Sequence, residues 1–225
     1  MVKISIIIPV LNEEKNLTRL LESLIISTDE TYEVIVVDGG SNDNSLFIAH
    51  QHIPSVIVSQ PGRGLQMNNG AAIAKGEVLL FLHADTQLPT DGLSQLQKLS
   101  INEDGFWGRY DVRLSGERVI FRLIESLINL RSRLTSIATG DQAIFVSRNL
   151  FERVGGFQEI ALMEDIALSK TLKRYSKPYC LKDRVVTSSR RWQKYGVVRT
   201  ILLMWKLRLY YFFGVSPDTL KRLYQ

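Results

Sequence analysis

The sequence of 225 residues is poor in cysteine and in long apolar runs. Its single cysteine, Cys180, excludes an internal disulfide and offers no zinc-binding pattern, which fits a reducing compartment. No uncharged stretch reaches the roughly 20 apolar residues that a spanning helix requires. The apolar run at residues 4–8 is too short for a secretory signal core and ends at Pro9. We therefore expect a cytoplasmic protein without a membrane-spanning helix.

Repeats, low-complexity tracts and linker-like segments are also absent from the sequence. Apolar residues make up 45% of the chain and charged residues 23%, which is typical of a soluble globular protein. The length suffices for one sizeable core and is short for two. We predict one domain over residues 1–192 and a C-terminal helical extension, residues 193–225, that packs on the same domain.

Acidic residues are scarce at the C-terminal end. From Arg190 onward the chain has eight basic residues and one acid, Asp218, so this segment carries +7 while the whole chain carries +5. Such a tail can meet anionic lipid, phosphate-bearing substrates or nucleic acid, or it can be a solvated helix face. We predict no nucleic-acid partner.

Short apolar strands and amphipathic helices alternate along the first 85 residues. This alternation predicts an α/β fold with a mostly parallel central sheet, right-handed crossovers and helices on both faces. Asn12 is expected to cap the first helix. Strands are predicted at 4–8, 32–37, 55–59, 77–82, 106–114 and 143–147, with one or two more at 179–187. Further helices are predicted at 65–75, 117–134, 162–175 and 195–213, and from Pro217.

Polar residues follow three of the predicted strands directly. In open α/β sheets, ligands bind beyond the carboxyl ends of the strands, so we expect a binding site there. Asp38 can accept hydrogen bonds from a base or a ribose. Alternatively, its segment simply forms a turn, and Asp43 caps the next helix. These polar groups are Asn12 and Glu13; Asp38, Ser41 and Asp43; and His83 and Asp85.

Two further segments can contact phosphate or metal. Arg63, between two glycines before a helix, can neutralise a phosphate, or the segment is an ordinary joint in which Gln66 and Asn68 face solvent. In an extended strand end, His83 and Asp85 project to the same side and provide ligands for Mn²⁺ or Mg²⁺. The alternative is a buried histidine followed by a helix-capping aspartate.

Two charged clusters in the second half complete the candidates. Glu164 and Asp165 begin a predicted helix, where the helix dipole alone favours acids, and either can be a general base if that end faces the pocket. Arg190, Arg191 and Trp192 can clamp a diphosphate and pack on a sugar or lipid, or they form part of a basic surface.

Together these segments resemble family 2 of the glycosyltransferases, inverting enzymes with the GT-A fold. Within it, the chain is most similar to small stand-alone bacterial enzymes with a His-Ala-Asp version of the Asp-x-Asp motif. The order and spacing of the motifs carry the resemblance, which covers about residues 3–192. The matching stretches are Ser5–Glu13, Val36–Ser41, Gly62–Gly70, Phe81–Thr86, Gly155–Phe157 and Glu164–Asp165.

The resemblance implies a Rossmann-like domain that binds a nucleoside-diphosphate sugar. Pro9, Leu11 and Glu13 would line the base and ribose site, with Asp38 beside them. Gly39 stands where the usual motif has a second aspartate.

The resemblance also implies a diphosphate and metal site, for Mn²⁺ or Mg²⁺. His83, Ala84 and Asp85 match its motif, with Asp85 as the better metal ligand and His83 in place of the usual first carboxylate. Gln87 would help to position the sugar or a phosphate, and Arg63 would lie nearby.

For catalysis, the resemblance implies one in-line displacement. Asp165 matches the catalytic base, with Glu164 beside it, and Arg191 and Trp192 would lie near the diphosphate and the acceptor. The acceptor is an unidentified hydroxyl or phosphate, with a lipid-linked one among the alternatives.

Two other classes of function stay open. A sugar nucleotidyltransferase shares the fold and the metal, but it usually needs a Gly-rich basic loop after the first strand. Here that loop, residues 10–14, is acidic and lacks glycine. The other class is a non-catalytic nucleotide- or lipid-binding module.

The C-terminal stretch from Val197 to Phe213 is crowded with apolar and aromatic residues, interrupted by Arg199, Lys206 and Arg208. This pattern favours either a helix that covers the core or an interfacial helix with aromatic anchors. The second alternative predicts contact with the inner face of a membrane, where a lipid-phosphate acceptor would lie.

Overall fold

The computed structural model describes residues 3–25, 31–99 and 105–224, which form an α/β fold around an eight-stranded sheet. The strands are β1 (Ile4–Val10), β2 (Tyr32–Asp38), β3 (Ser55–Val58), β4 (Val78–Phe81), β5 (Thr86–Gln87), β6 (Trp107–Leu114), β7 (Phe145–Ser147) and β8 (Tyr179–Thr187). The helices are α1 (Glu14–Ile25), α2 (Ser45–His52), α3 (Arg63–Ile73), α4 (Gly92–Gln97), α5 (Val119–Thr135), α6 (Arg148–Arg153), α7 (Glu164–Leu172), α8 (Arg190–Tyr195), α9 (Val197–Phe212) and α10 (Pro217–Tyr224). A 3₁₀ turn spans Gly140–Gln142.

The strand order is β3-β2-β1-β4-β7-β6-β8-β5. Four of the neighbouring pairs are parallel, including all those among β3, β2, β1 and β4. The pairs β4–β7, β6–β7 and β5–β8 are antiparallel. The predicted α/β sheet is therefore confirmed, and β1, β2 and β4 end at the same edge of it.

The central strand β1 is buried along its whole length. Ile4, Ile6 and Ile8 pack into the core on one side of the sheet, and Ile7 packs into the core on the other, because successive side chains alternate between faces. A β-branched strand covered on both faces is what a parallel sheet requires.

Helix α3 approaches this strand closely through Gly70. A Cβ added to Gly70 would lie 2.5 Å from Cγ2 of Ile7 and 3.1 Å from Cγ2 of Val37. The glycine therefore sets how closely α3 packs on the sheet, and α3 in turn carries residues to the sheet edge.

Asn12 does not cap α1, contrary to the prediction. Its φ is +56°, and its Oδ1 accepts a hydrogen bond from the Asn42 backbone N–H at 2.8 Å. The first helical N–H groups are instead satisfied from the loop after β2. Glu13 N–H donates to Ser45 Oγ at 2.8 Å, and Glu14 N–H donates to Asp43 Oδ2 at 3.2 Å. A cap supplied from distant residues has no signature in the local sequence.

Two further segments can be compared with the prediction. Residues 179–187, predicted to hold one or two strands, form one strand, β8, with a register shift opposite Tyr110 and Asp111 of β6. The helix predicted at 195–213 begins at Val197, because Gly196 has a φ of +83° and separates it from α8. Left-handed backbone of this kind favours glycine and ends a helix.

The C-terminal helices pack on the start of α7. Leu207 of α9 and Leu220 of α10 are fully buried in a cluster with Leu162, Met163 and Ile166. The opposite side of α9 is exposed. Among the described residues, every helix lacks the combination of length and apolar character needed to cross a bilayer.

Replacing Gly70 with alanine tests the close packing of α3 on the sheet. Because the added methyl group meets Ile7, we expect the free energy of unfolding to fall by about 1–3 kcal/mol, measured by urea denaturation. Ala72→Ser on the exposed side of the same helix is the control, and it should change this free energy little. Equal stability of the Gly70→Ala variant and the unchanged protein would contradict the packing described here.

Candidate active site

Four chain segments converge at the carboxyl edge of the sheet. They are the loops after β1, β2 and β4 and the start of α7. Arg63, at the start of α3, joins this edge to α7, since its Nε lies 3.0 Å from Glu164 Oε1. The Gly140 N–H joins the 3₁₀ turn to α7 by donating to Asp165 Oδ2 at 2.8 Å. The edge thus collects residues that lie far apart in the chain.

Asp38, the last residue of β2, is 1% exposed. Its Oδ1 accepts hydrogen bonds from the backbone N–H groups of Gly40 and Ser41, both at 2.8 Å. Its Oδ2 is buried and has no hydrogen-bond partner within the described part of the chain. One oxygen therefore shapes the turn, and the other is a buried acceptor that the described residues leave unpaired.

Gln66 is buried at the joint between β1 and β2, so the alternative in which it faces solvent is wrong. Its Nε2 donates to the carbonyl oxygens of Val10 at 2.9 Å and Val37 at 2.8 Å. A Cβ added to Gly39 would lie 3.0 Å from this carboxamide. The bridge explains why a glycine, and not a second aspartate, follows Asp38.

Asn68 also departs from the solvent-facing expectation. Its side chain accepts a hydrogen bond from the Phe157 N–H and donates one to the Phe157 carbonyl, both at 2.9 Å. This pair fixes α3 to the segment that leads into α7. Gly62 and Arg63 thus begin a helix that is anchored to both halves of the chain.

The loop after β1 brings Leu11 and Glu13 to the same edge. Pro9 is buried in β1 opposite Val37, whereas Leu11 is 45% exposed just beyond the strand. Glu13 Oε2 accepts a hydrogen bond from Asn16 Nδ2 at 2.7 Å. The loop therefore presents one apolar and one acidic side chain beside Asp38.

His83 and Asp85 do not lie on an extended strand end, contrary to the prediction. Strand β4 ends at Phe81, and the Thr86 N–H donates to the His83 carbonyl at 3.0 Å, which closes a turn. Ala84 is buried in the core, and Gln87 lies in β5 opposite Val186. The turn directs His83 and Asp85 to different neighbours.

Asp85 lies among other acids. Burial raises the pKa of its carboxyl, and the negative charges of Glu13 and Asp141 add to this increase. The hydrogen bond from Thr86 Oγ1, at 3.3 Å, and the charge of Arg190 act in the opposite direction. Such mutual repulsion favours binding of a cation.

His83 lies against the 3₁₀ turn. A Cβ added to Gly140 would be 2.5 Å from His83 Nε2, so the imidazole packs directly on the glycine. Burial, together with the positive charge of Arg63, lowers the pKa of His83 to about 3. The imidazole is therefore neutral at physiological pH. It shares a narrow cavity with Met67, Phe81, Gly140, Glu164 and Asp165.

These side chains fit a divalent cation that is shared with a ligand. Residues 3–25, 31–99 and 105–224 contain no cluster of three or more His, Cys, Asp or Glu side chains that could hold a metal by themselves. Mg²⁺ is typically held by one or two carboxylates together with substrate phosphates and water. Asp85, crowded by two other carboxylates, suits that role, and a neutral His83 leaves a nitrogen lone pair available.

Glu164 and Asp165 begin α7 after Met163, whose φ is +73°. Glu164 is 2% exposed and is paired with Arg63, so this guanidinium points to a protein carboxylate. Burial raises the pKa of Glu164, although the positive charge of Arg63 acts to lower it. Asp165 is partly exposed, and its two oxygens accept hydrogen bonds from the N–H groups of Gly140 and Ile166 at 2.8 and 2.7 Å. Asp165 is therefore the carboxylate that is both oriented and accessible.

Asp141 is a site residue that the sequence reasoning missed. The negative charge of Asp141 raises the pKa of Asp85. Burial raises the pKa of Asp141 itself, and the negative charge of Asp165 adds to this increase. Its Oδ1 lacks a hydrogen-bond partner among the residues described. The sequence Gly140-Asp141-Gln142 before a strand was the signal that could have identified it.

Arg190, and not Arg191, points to the acidic edge. Arg190 Nη2 lies 3.9 Å from Glu13 Oε1. The Arg191 guanidinium stacks 3.7 Å from the ring centroid of Tyr224 and donates to the Tyr224 carbonyl at 2.6 Å. Trp192 packs against the buried cluster that includes Phe121 of α5. The structure therefore does not bring Arg191 and Trp192 together with the acids.

Gln66→Leu tests the bridge between the ends of β1 and β2. The change keeps a similar volume but removes both hydrogen bonds of the carboxamide, so we expect the free energy of unfolding to fall by about 1–3 kcal/mol. Urea denaturation measures it, and Gln60→Leu at an exposed position serves as the control. If both variants were equally stable, the bridge would not contribute as described.

Comparison with known proteins gives a family match. The model described as Glycosyl transferase family 2 matches residues 5–158. The poly(ribitol-phosphate) beta-glucosyltransferase of Bacillus spizizenii is 38% identical over 101 residues, which covers 40% of this chain and 16% of that protein. The undecaprenyl-phosphate 4-deoxy-4-formamido-L-arabinose transferase of Yersinia enterocolitica is 31% identical over 152 residues, covering 62% of this chain and 46% of that protein. The chain thus spans less than half the length of these relatives.

Solved structures show the same fold. S. aureus TarS 1-349 in complex with UDP has a TM-score of 0.65 and 23% identity, covering 83% of this chain and 60% of that chain. Mannosyltransferase PcManGT from Pyrobaculum calidifontis, in complex with GDP-Man and Mn²⁺, has a TM-score of 0.64 and 17% identity, covering 82% of this chain and 56% of that chain. The GT-A fold expected from the sequence is confirmed.

Proposed function

Because the chain belongs to glycosyl transferase family 2, we propose that it transfers a sugar from a nucleoside-diphosphate sugar to an acceptor hydroxyl or phosphate. The observation that carries this proposal is the convergence of Asp38, Asp85 and Asp165 at one edge of the sheet. A partner-free acceptor oxygen, a cation-attracting carboxylate and an oriented, accessible carboxylate are what donor binding and transfer require.

The donor nucleotide would bind beside the ends of β1 and β2. The free Oδ2 of Asp38 would accept an N–H or O–H hydrogen bond from the base or the ribose. Pro9 and Leu11 would provide the apolar wall, and Glu13 would face the ribose. The complexes of TarS with UDP and of PcManGT with GDP-Man support a nucleotide donor on this fold.

The diphosphate would lie between Asp85 and Arg190. A divalent metal held there, Mn²⁺ or Mg²⁺, would neutralise the negative charge that develops on the leaving nucleoside diphosphate. Asp85 would hold it, with His83 as the second candidate ligand. Arg190 would add a positive charge on the other side, since it lies 3.9 Å from Glu13 and its charge also acts on Asp85. Arg63 would contribute its charge from behind His83.

The transfer would proceed by one in-line displacement with inversion. Asp165 takes the proton of the acceptor hydroxyl while that oxygen bonds to the anomeric carbon, and the bond from this carbon to the diphosphate oxygen breaks with its electron pair. The Gly140 N–H orients the carboxylate for this role. Glu164 stays paired with Arg63 and positions the neighbouring groups.

The acceptor would be carried by a lipid. Three observations support this: the undecaprenyl-phosphate transferases among the relatives, the positive charge of the C-terminal segment, and the exposed aromatic residues of α9. A lipid phosphate would bring an oxygen that is already ionised, and the demand on Asp165 as a base would then be smaller.

Asp165→Asn tests the base. The amide keeps the shape and can still accept from the Gly140 N–H, so donor binding should be nearly unchanged. With a hydroxyl acceptor, the turnover rate should fall about 10²–10⁴-fold, the usual contribution of a general base. Turnover is measured with the purified protein and binding by calorimetry.

The matched control for this variant is Asp91→Asn, at an exposed position, which should leave turnover unchanged. An Asp165→Asn variant that lost donor binding and turnover together would contradict the role of Asp165 as a base.

Asp85→Ala tests the diphosphate and metal site. Calorimetric titration with UDP and with GDP in the presence of Mn²⁺ should show affinity lowered about tenfold or more, because the variant loses the carboxylate that suits the cation. In EDTA, the variant and the unchanged protein should bind UDP and GDP with equal affinity. Unchanged affinity in Mn²⁺ would remove Asp85 from the site.

A further inference from the structure

Two helices expose long apolar stripes. On α5, five apolar residues are 52 to 84% exposed, and on α9 five more are 53 to 75% exposed. Spacings of three or four residues place each set on one side of its helix. Soluble monomers rarely expose large contiguous apolar patches without a function. The residues are Val119, Leu123, Leu127, Leu130 and Leu134 of α5, and Val198, Leu202, Trp205, Leu209 and Phe212 of α9.

The two helices meet near their first turns. Phe121 and Ile124 of α5 are buried in one cluster, against which Val197 and Ile201 of α9 pack. Other side chains of α5 turn inward, as Asn129 does by bonding the backbone of β6. Both stripes therefore lie on the sides facing away from the core, and we call the two stripes together the α5–α9 face.

The charges around this face are positive. Helices α5 and α9 together contain six basic residues and one acid, Glu125. Glu125 is buried, accepts a hydrogen bond from the Leu114 N–H at 2.7 Å and pairs with Arg122 at 3.1 Å. Arg133 of α5 pairs with Asp111 of β6 at 2.7 Å, and guanidinium nitrogens of Arg131 are buried, so the basic residues of α5 are engaged within the fold. The positive charge available at this face is therefore that of α9, from Arg199, Lys206 and Arg208.

We propose that the α5–α9 face docks on a membrane surface that contains anionic lipid. The leucines, Trp205 and Phe212 would enter the boundary between headgroups and acyl chains, and the basic side chains would stay at the level of the phosphates. This docking does not depend on the proposed sugar transfer, because it rests on surface residues outside the active site.

Charge complementarity favours a lipid surface over a second copy of the chain. A two-fold interface would bring the same basic helices of two copies together, and like charges would then face one another. Anionic headgroups instead neutralise each basic residue that comes near them. The exposed aromatic residues at the end of α9, Phe212 and Phe213, also suit the interface between lipid and water.

Sedimentation of the full chain with lipid vesicles tests the proposal. We expect binding to phosphatidylcholine vesicles that contain phosphatidylglycerol, weaker binding to phosphatidylcholine alone, and partial release by salt. Two double variants probe the two helices separately: Trp205→Ser with Phe212→Ser on α9, and Leu123→Gln with Leu134→Gln on α5. Each pair should lower the partition coefficient about tenfold or more, because two large apolar side chains no longer enter the lipid.

Phe47→Ser is the matched control, since Phe47 is 63% exposed on α2, outside the proposed face. It should bind vesicles like the unchanged protein. Circular dichroism and the thermal midpoint establish that every variant is folded, and because all the changed side chains are exposed, we expect little loss of stability.

Three results would overturn the proposal. The unchanged protein could stay in the supernatant with both kinds of vesicle. Only the α9 pair could weaken binding, which would exclude α5 from the face. Light scattering could show a dimer that both pairs of substitutions convert to monomers without any vesicle binding, and the face would then join two copies of the chain.

Discussion

The crowding of carboxyl groups at one edge of the sheet is the constraint on which the site depends. Because β1, β2 and β4 are parallel, the acids that follow them must end close together, and burial raises the pKa values of Asp85, Asp141 and Glu164. The pairing of Glu164 with Arg63 offsets part of the free-energy cost of burying these carboxylates. A bound ligand can relieve the remaining repulsion between them, which is the electrostatic condition for binding a cation with a diphosphate.

His83 can be understood from the same constraint. It stands in a cavity beside Glu164 and Asp165, where another carboxylate would add a further buried negative charge. A neutral imidazole avoids that repulsion, and its Cε1–Nε2 edge lies against Gly140. The N–H of the same glycine holds Asp165, and a side chain at position 140 would collide with the imidazole. Gly140 thus lies between His83, on the side proposed to bind the donor, and Asp165, the proposed base.

The sequence predicted the strands and the residues at their ends well, because β-branched runs and the motifs that follow them are local signals. It failed where a residue's role depends on distant partners. Gln66 resembles a solvated polar residue at a helix start, yet it binds Val10 and Val37. Arg190 and Arg191 differ by about 100° around α8, and only the packing of that helix decides which one reaches Glu13. The turn after Phe81 likewise depends on tertiary contacts, such as that of His83 with Gly140.

Helix α9 links the surface to the site. On one side it buries Leu207 against Met163 and Ile166, the residues that flank Glu164 and Asp165, and on the other it exposes Trp205. Burial and the charges of Asp165 and Glu164 also raise the pKa of Tyr211 on the same helix. A helix is about 10 Å across, so an acceptor headgroup at a docked α9 would be about one helix diameter from Asp165, the proposed base. Docking through this face would therefore bring a lipid-borne acceptor within reach without any helix crossing the bilayer.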